Sequence, residues 1–282
     1  MPACSYFRTI NLIPHVSKIL LRIVMRRIEG KARDIISKTQ FGFRKGVGTR
    51  EAIGVMRMLG ERSLEYGNEV YVCFIDFEKA FDRVNWVKMM QILKQIGVDW
   101  RDQRFIRDLY MNQEAFVRVN GELTEPGIIG RGVRQGCLMS PLLFSLYVEE
   151  MMKEAMIDLD EGVQVGGNWL KDVRFADDQG MVASTEQGLQ LILDKLNESA
   201  KQYDMKINVK KTKVMKISKN GGTMNIMIDD QNVEQVNKFK YLGAWITEDG
   251  RCETEIRTRI GMAKDTFSKR KDLLSGGLSR VR

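Results

Sequence analysis

An α+β fold, in which helices pack against a largely antiparallel sheet, is predicted by three features of this sequence. Segments with apolar residues at helical spacing alternate with short apolar runs of strand length. Hairpin signals separate several of those runs, so neighbouring strands are expected to lie antiparallel. With 282 residues, 43% of them hydrophobic and 29% charged, the chain is also long enough to bury a sizeable core.

The elements follow in order. From Pro14 to about Arg33, apolar residues at Val16, Ile19, Leu20, Ile23, Val24 and Ile28 have the spacing of one helix face, and Lys18, Arg22 and Arg26 form a basic stripe. Gly42, Gly46 and Gly48 then mark a loop, which carries Arg44 and Lys45, before an amphipathic helix over Glu51 to Tyr66. Val70 to Ile75 is a continuous apolar run, the pattern of a strand covered on both faces, and it ends at Asp76. Asn85 can cap a helix that stops at Gly97, and a further helix is expected from Trp100 to Met111. Asn120-Gly121 predicts a hairpin after Ala115 to Val119. Pro141 can open a helix running to about Asp158.

Leu170 to Phe175 and Gly180 to Ala183 read as a strand pair with Ala176, Asp177 and Asp178 near its turn. A helix from Glu186 to about Tyr203 follows, then short strands near Ile207, Val214 to Ile217 and Met224 to Ile228. Phe239 to Ile246 closes the sheet region, and Glu253 to Leu274 reads as a basic amphipathic helix. No internal repeat or low-complexity stretch is apparent.

Charge is distributed unevenly. The net charge is +8, yet residues 1 to 50 carry 11 Lys/Arg against 2 Asp/Glu, residues 206 to 219 carry six lysines and no acid, and the tail from Arg251 carries 9 against 4. A basic perimeter around a more acidic middle suits a polyanion gripped at its backbone while chemistry proceeds at carboxylates; a merely patchy surface is the alternative. Cys4, Cys73, Cys137 and Cys252 have no close pair, which argues against a disulfide framework or a zinc site. No signal peptide and no membrane-length apolar run is seen, so a reducing intracellular setting is expected, nucleus or cytoplasm, with no membrane association and no stable protein partner. His15 is the sole histidine, which leaves little support for histidine-based chemistry.

Asp76 closes one strand and Asp177-Asp178 sit at the bend of another pair, so antiparallel neighbours could bring three carboxylates together. Such a cluster is tolerable when divalent cations neutralise it, and Mg²⁺ prefers carboxylate oxygens, water and phosphates. Taken alone, an Asp-Asp pair is more often a turn.

At this point the sequence resembles the reverse transcriptases. FIDFEKAFD (74 to 82), GVRQGCLMSPLLFSLYVE (132 to 149) and FADD (175 to 178) look like the successive palm motifs of that family, in the same order and spacing. RTINLIPHVSKIL (8 to 20), QFGFRKGVGT (40 to 49), INVKKTKVM (207 to 215) and FKYLGAWIT (239 to 247) resemble the flanking motifs of the non-LTR retrotransposon branch, LINE-like and of RTE type.

The resemblance implies a polymerase right-hand fold: a palm whose antiparallel sheet is packed by helices, partial fingers, and little or no thumb. It implies partial fingers over 1–68, palm over 69–220 with fingers elements at 83–130, and the end of the palm, a primer-grip-like segment and the start of a thumb over 221–282. The implied activity is RNA-directed DNA synthesis, with two Mg²⁺ ions (Mn²⁺ as a substitute), an RNA template, a DNA primer and a dNTP. By position, Asp76 and Asp177 would bind both metals, Asp178 would support them, and the Phe77 carbonyl would be an extra ligand. Lys211 would be the general acid for pyrophosphate departure, with Lys210 beside it as the competing assignment. Arg8, Phe77, Phe81, Gln135 and Gly136 would surround the nucleotide, Phe81 selecting against a 2′-hydroxyl. Arg44, Lys45, Tyr241, Leu242 and Gly243 would meet nucleic acid.

The pattern also departs from the family. Only seven residues precede Arg8, Thr9 stands where a proline is usual, and Gln179 follows FADD in place of a small or apolar residue. These departures and the missing upstream endonuclease and downstream thumb lead to the expectation of a truncated element copy. An inactive remnant that only binds nucleic acid is the competing reading.

Overall fold

The computed structural model describes residues 13–271 apart from 112, 117, 120 and 121. Helices α1 (His15–Ile35) and α2 (Thr49–Glu65) precede strand β1 (Val70–Ile75). The short helix α3 (Ala80–Arg83), α4 (Trp86–Gln95) and α5 (Trp100–Tyr110) come next. Strands β2 (Gln113–Ala115), β3 (Arg118–Val119), β4 (Glu122–Leu123) and β5 (Gly127–Ile129) form two small ladders, β3 with β4 nested inside β2 with β5. Helix α6 (Ser140–Ala155) leads to the hairpin β6 (Val163–Val165) and β7 (Asn168–Leu170), then to β8 (Asp172–Phe175), β9 (Asp178–Ala183) and α7 (Glu186–Gln202). The chain continues through β10 (Lys213–Ile217), β11 (Met227–Ile228), β12 (Gln231–Asn232), β13 (Glu234–Gln235), the hairpin β14 (Lys238–Tyr241) and β15 (Ala244–Thr247), and α8 (Glu253–Lys269).

Five strands form the central sheet in the order β13-β10-β1-β9-β8, antiparallel except between β10 and β13. β1 lies in the middle, which is why its sequence is apolar without interruption: side chains alternate across a strand, and both faces are covered. Tyr71, Cys73 and Ile75 join one core with α1, α4, α6 and α7. Val70, Val72 and Phe74 join a second core with Ala52, Met56 and Leu59 of α2 and Tyr241 and Ile246 of the β14–β15 hairpin. Phe74 stacks on Phe239 at 4.3 Å, tying that hairpin to the sheet face. The helix ends follow their expected chemistry. The Asn85 side chain accepts from the Val87 and Lys88 amides at the start of α4, and Thr185 accepts from the Gly188 amide at the start of α7.

Several elements differ from expectation. α1 buries Leu21, Val24, Ile28 and Ala32, leaving Val16 at 79% exposure and Ile19, Leu20 and Ile23 also exposed. Helical spacing admits a face rotated by about one residue, and α1 docks on α6 through its later turns. α6 ends at Ala155, and Asp158 turns back in the left-handed region at φ 52°. Leu170 belongs to the separate β6–β7 hairpin, Ile207 makes only an isolated bridge with Phe77, and strand geometry near Met224 begins at Met227. Phe239 to Ile246 does not extend the sheet edge. It forms its own hairpin laid on the sheet face, because Phe239, Tyr241 and Ile246 pack onto Phe74 and its neighbours. The turn at Asn120-Gly121 and the segment after Lys271 lie outside the described residues.

Beneath β8, Arg174 is almost fully buried between two carboxylates, Glu149 at 3.1 Å and Asp172 at 3.3 Å. Burial raises the Glu149 pKa, and the neighbouring guanidinium opposes that rise. Removing the cation would strand two buried carboxylates, a change that typically costs about 3–5 kcal/mol. Arg174→Met is therefore expected to lower unfolding stability by about that amount in urea melts at pH 7; an unchanged midpoint would show that the ion group does not hold β8 in place.

Candidate active site

Strand register brings the carboxylates to one end of the sheet. β1 pairs with β9 so that Ile75 faces Gln179, and one further step places Asp76 beside Asp178. β8 pairs with β9 so that Phe175 faces Asp178, which leaves Ala176-Asp177 as the bend of a two-residue hairpin. Ala176 sits at φ 58°, a left-handed conformation that costs an L-residue roughly 1–2 kcal/mol.

Residues distant in sequence hold the end of β1. The Asp76 amide donates to the Thr212 hydroxyl at 3.3 Å, and Thr212 is fully buried. The Asp76 carbonyl accepts from the Asn208 amide, the Glu78 amide donates to the Lys206 carbonyl, and Phe77 bridges to Ile207. The lysine-rich turn is thereby pinned against the strand end. Lys211 projects toward the carboxylates with its Nζ 3.8 Å from Asp76 Oδ2, whereas the Lys210 carbonyl accepts from Lys213 Nζ.

The cluster carries an electrostatic cost. Partial burial, then the charges of Asp177 and Asp76, push the Asp178 carboxyl up to about 6. Among the described residues no group of three acidic, histidine or cysteine side chains is closed up as a metal cage. Asp177 and Asp76 are near enough to Asp178 to disfavour its charge without the three converging. An all-oxygen donor set in which one acid resists ionisation is what a hard divalent cation would relieve, so the residues present fit Mg²⁺.

Beside the carboxylates lies a groove of about 1040 Å³ lined by Asp76, Phe77, Phe81, Gln135, Gly136, Asp177 and Lys211 among others. Phe81 packs its ring on buried Phe144 at 4.2 Å, nearly parallel, which fixes its position on the groove wall. Gln135 donates to the Asp82 carboxylate at 3.1 Å. Gly132 at φ 95° brings the 132–136 loop so close to Asp82 that a Cβ would meet the Asp82 backbone at 2.9 Å. Arg134 is held by Gln113 Oε1 and the Leu109 carbonyl.

The other expected site residues are scattered. Arg8 lies outside the described residues. Arg44 is partly engaged with the Ser37 carbonyl, and Lys45 is exposed. Tyr241 is buried and donates its hydroxyl to the Val173 carbonyl, so its ring serves the core; Leu242 is half-buried against the same core, and Gly243 is the exposed residue of that turn. Sequence reasoning did not single out Phe43, Arg131 or Asn208, which also line the groove. Phe43 and Asn208 lie inside motifs whose neighbours drew attention, and a neighbouring-residue scan could have found them.

A family model described as reverse transcriptase (RNA-dependent DNA polymerase) matches residues 2–246. The chain is 26% identical over 241 residues to the RNA-directed DNA polymerase from mobile element jockey of Drosophila funebris, covering 84% of this chain and 26% of that protein. It is 26% identical over 262 residues to the probable RNA-directed DNA polymerase from transposon X-element of Drosophila melanogaster, covering 90% and 28% respectively. The chain thus spans about a quarter of the length of the curated relatives it matches. Among solved structures, telomerase from Candida tropicalis in complex with a fragment of telomeric RNA superposes with a TM-score of 0.56 at 14% identity, over 85% of this chain and 38% of that one. That likeness supports the polymerase right-hand fold.

The raised Asp178 pKa has a direct consequence for stability. A carboxyl whose folded pKa lies above its unfolded value contributes stability that is fully present below the unfolded pKa and is lost as pH rises through about 6. In EDTA, Asp178→Asn should therefore melt above the parent chain at pH 7–8, with the gap closing toward pH 4. Solvent screening at this only partly covered carboxyl limits the gap to about 1 kcal/mol. Added Mg²⁺ should stabilise the parent more than the variant; equal melting temperatures throughout would contradict a repelling cluster.

Proposed function

The chain belongs to the reverse transcriptase (RNA-dependent DNA polymerase) family, and from that premise we propose that it extends a DNA primer with deoxynucleotides on an RNA template. The observation that carries this reading is the meeting of Asp76 and Asp177-Asp178 at one sheet end, beside a groove that also presents Phe81, Gln135 and Lys211. The relatives support placement in the non-LTR branch, and the motifs favour the narrower RTE type.

Reverse transcriptases generally use divalent metals. In this chain Asp76, Asp177, Asp178 and the Phe77 carbonyl would hold two Mg²⁺ ions, or Mn²⁺. Bound there, the ions would favour ionisation of the primer hydroxyl and neutralise charge on the departing pyrophosphate.

The chain's own groups do the positioning. Phe81, backed by Phe144, forms a rigid wall against which a 2′-hydroxyl would collide. Gln135, oriented by Asp82, can hydrogen-bond the nucleotide or template, and Gly136 at φ 92° lets backbone approach it closely. Lys211 stands within reach of the carboxylates as the proton donor to the leaving pyrophosphate, and its charge also offsets Asp76. Arg8 is assigned to the triphosphate by its motif position alone, a guanidinium being suited to bidentate phosphate contact. Arg44 and Lys45 on one side and the Leu242-Gly243 turn on the other contact the nucleic-acid backbone, Tyr241 acting only by anchoring that turn. In this reading residues 1–68 contribute fingers, 69–220 the palm with fingers elements at 83–130, and 221–282 the end of the palm, the primer-grip-like hairpin and the first thumb segment.

Primer extension on an RNA template with Mg²⁺ and deoxynucleotides should be robust for the parent and fall by at least about 10³-fold in the Asp177→Ala, Asp178→Ala double variant. Equal extension by both would sink the assignment of these carboxylates. Phe81→Ala should raise the use of ribonucleotides relative to deoxynucleotides by roughly tenfold or more; an unchanged ratio in single-nucleotide incorporation would remove Phe81 from substrate selection.

A further inference from the structure

The bend that carries Asp177 is not self-supporting. Ala176 holds a left-handed φ without being glycine, so the conformation must be imposed by something outside the hairpin. The contact on that bend comes from residues 39–42, which run along the outer edge of β8. The Arg174 amide donates to the Thr39 carbonyl, and the Phe41 amide donates to the Arg174 carbonyl, making a parallel bridge at Gln40. Gln40 itself is only 1% exposed. Its Oε1 accepts two backbone N–H groups at once, from Gly42 at 2.8 Å and from Ala176 at 3.0 Å.

Three details point to the oxygen as the reason for this residue. First, Gln40 Nε2 is buried without a hydrogen-bond partner among the described residues, so the side chain is held through its acceptor end. Second, the close approach leaves no room for a side chain at the next clamp position, since a Cβ on Gly42 would lie 2.4 Å from the Ala176 nitrogen. Third, both groups that Oε1 meets are backbone N–H donors, so the clamp requires an acceptor oxygen and nothing else of the side chain.

We propose that Gln40, through its amide oxygen, is the positioning residue that locks the Ala176-Asp177 bend in the conformation presenting Asp177 to the groove and holding Asp178 beside Asp76. It touches neither substrate nor metal. It acts through the backbone of Ala176, as an outer partner acts on a ligand. The functional half of this statement rests on the reading of the groove as a polymerase site, while the structural half stands alone.

The test uses the full 282-residue chain and two variants. Gln40→Met keeps length and loses the acceptor, whereas Gln40→Glu keeps an acceptor oxygen. In Gln40→Met, amide exchange at Ala176 should quicken by about tenfold or more while Met181 and Val182 in β9 stay protected. Mn²⁺ affinity, measured by calorimetry on metal-free protein, should weaken by about 10–100-fold. The kcat of primer extension should fall by a similar factor with the KM for deoxynucleotide little changed, and Gln40→Glu should restore Ala176 protection. Unchanged exchange at Ala176 in Gln40→Met, or unchanged Mn²⁺ affinity despite faster exchange, would overturn the proposal. Should Gln40→Met fail to fold, Gln40→Glu decides: retained Ala176 protection and Mn²⁺ affinity support the clamp, and their loss refutes it. A parent chain that extends no primer would count against the polymerase reading, while exchange and Mn²⁺ binding would still judge Gln40.

Discussion

The antiparallel pairing of β1 with β9 is the constraint on which the site depends. Because strand residues alternate in facing, a slip of one residue would turn Asp76 away from Asp178 and send each apolar side chain of β1 into the wrong one of the two cores. Burial of Val72, Cys73 and Phe74 on opposite faces therefore fixes the position of Asp76 more firmly than any contact Asp76 makes itself. The reactive groups sit where the buried strand ends and hydration begins.

That arrangement places repelling carboxylates on a rigid platform, and the fold compensates with distant segments. Residues 206–212 pin the backbone around Asp76, and residues 39–42 pin the bend before Asp177. Beneath them, Arg174 ties β8 to α6 through Glu149. A left-handed alanine, a carboxyl raised to about 6 and a buried ion group are each unfavourable in isolation. Their concentration around one groove is the pattern expected where stability has been exchanged for a preorganised, metal-ready site.

Much of this was legible in the amino-acid sequence because the informative signals were local. An unbroken apolar run marked β1 as a central strand, Asn85 marked a helix start, and the order of the acidic motifs marked the site. Side-chain orientation was less legible. The spacing of apolar residues in α1 admitted two neighbouring faces, and only docking on α6 selected Leu21, Val24 and Ile28 over Val16 and Ile19. Its place in the FKYLG motif assigns Tyr241 to nucleic acid, with packing as the alternative, yet its hydroxyl donates to the Val173 carbonyl inside the second core. The clamp from Gln40 to Ala176 spans 136 residues and leaves no periodic trace. Contacts of that kind depend on topology, which local patterning does not encode.

The central claim is that the end of β1 and the 176–178 bend form one divalent-metal site. Replacing the metal with Fe²⁺ and mapping ascorbate-driven backbone cleavage would locate the ion without requiring turnover. The account predicts paired cuts near Asp76 and near Asp177-Asp178, both suppressed by excess Mg²⁺ and lost in Asp76→Asn. Cleavage at only one of these segments, or at a place unrelated to either, would contradict it.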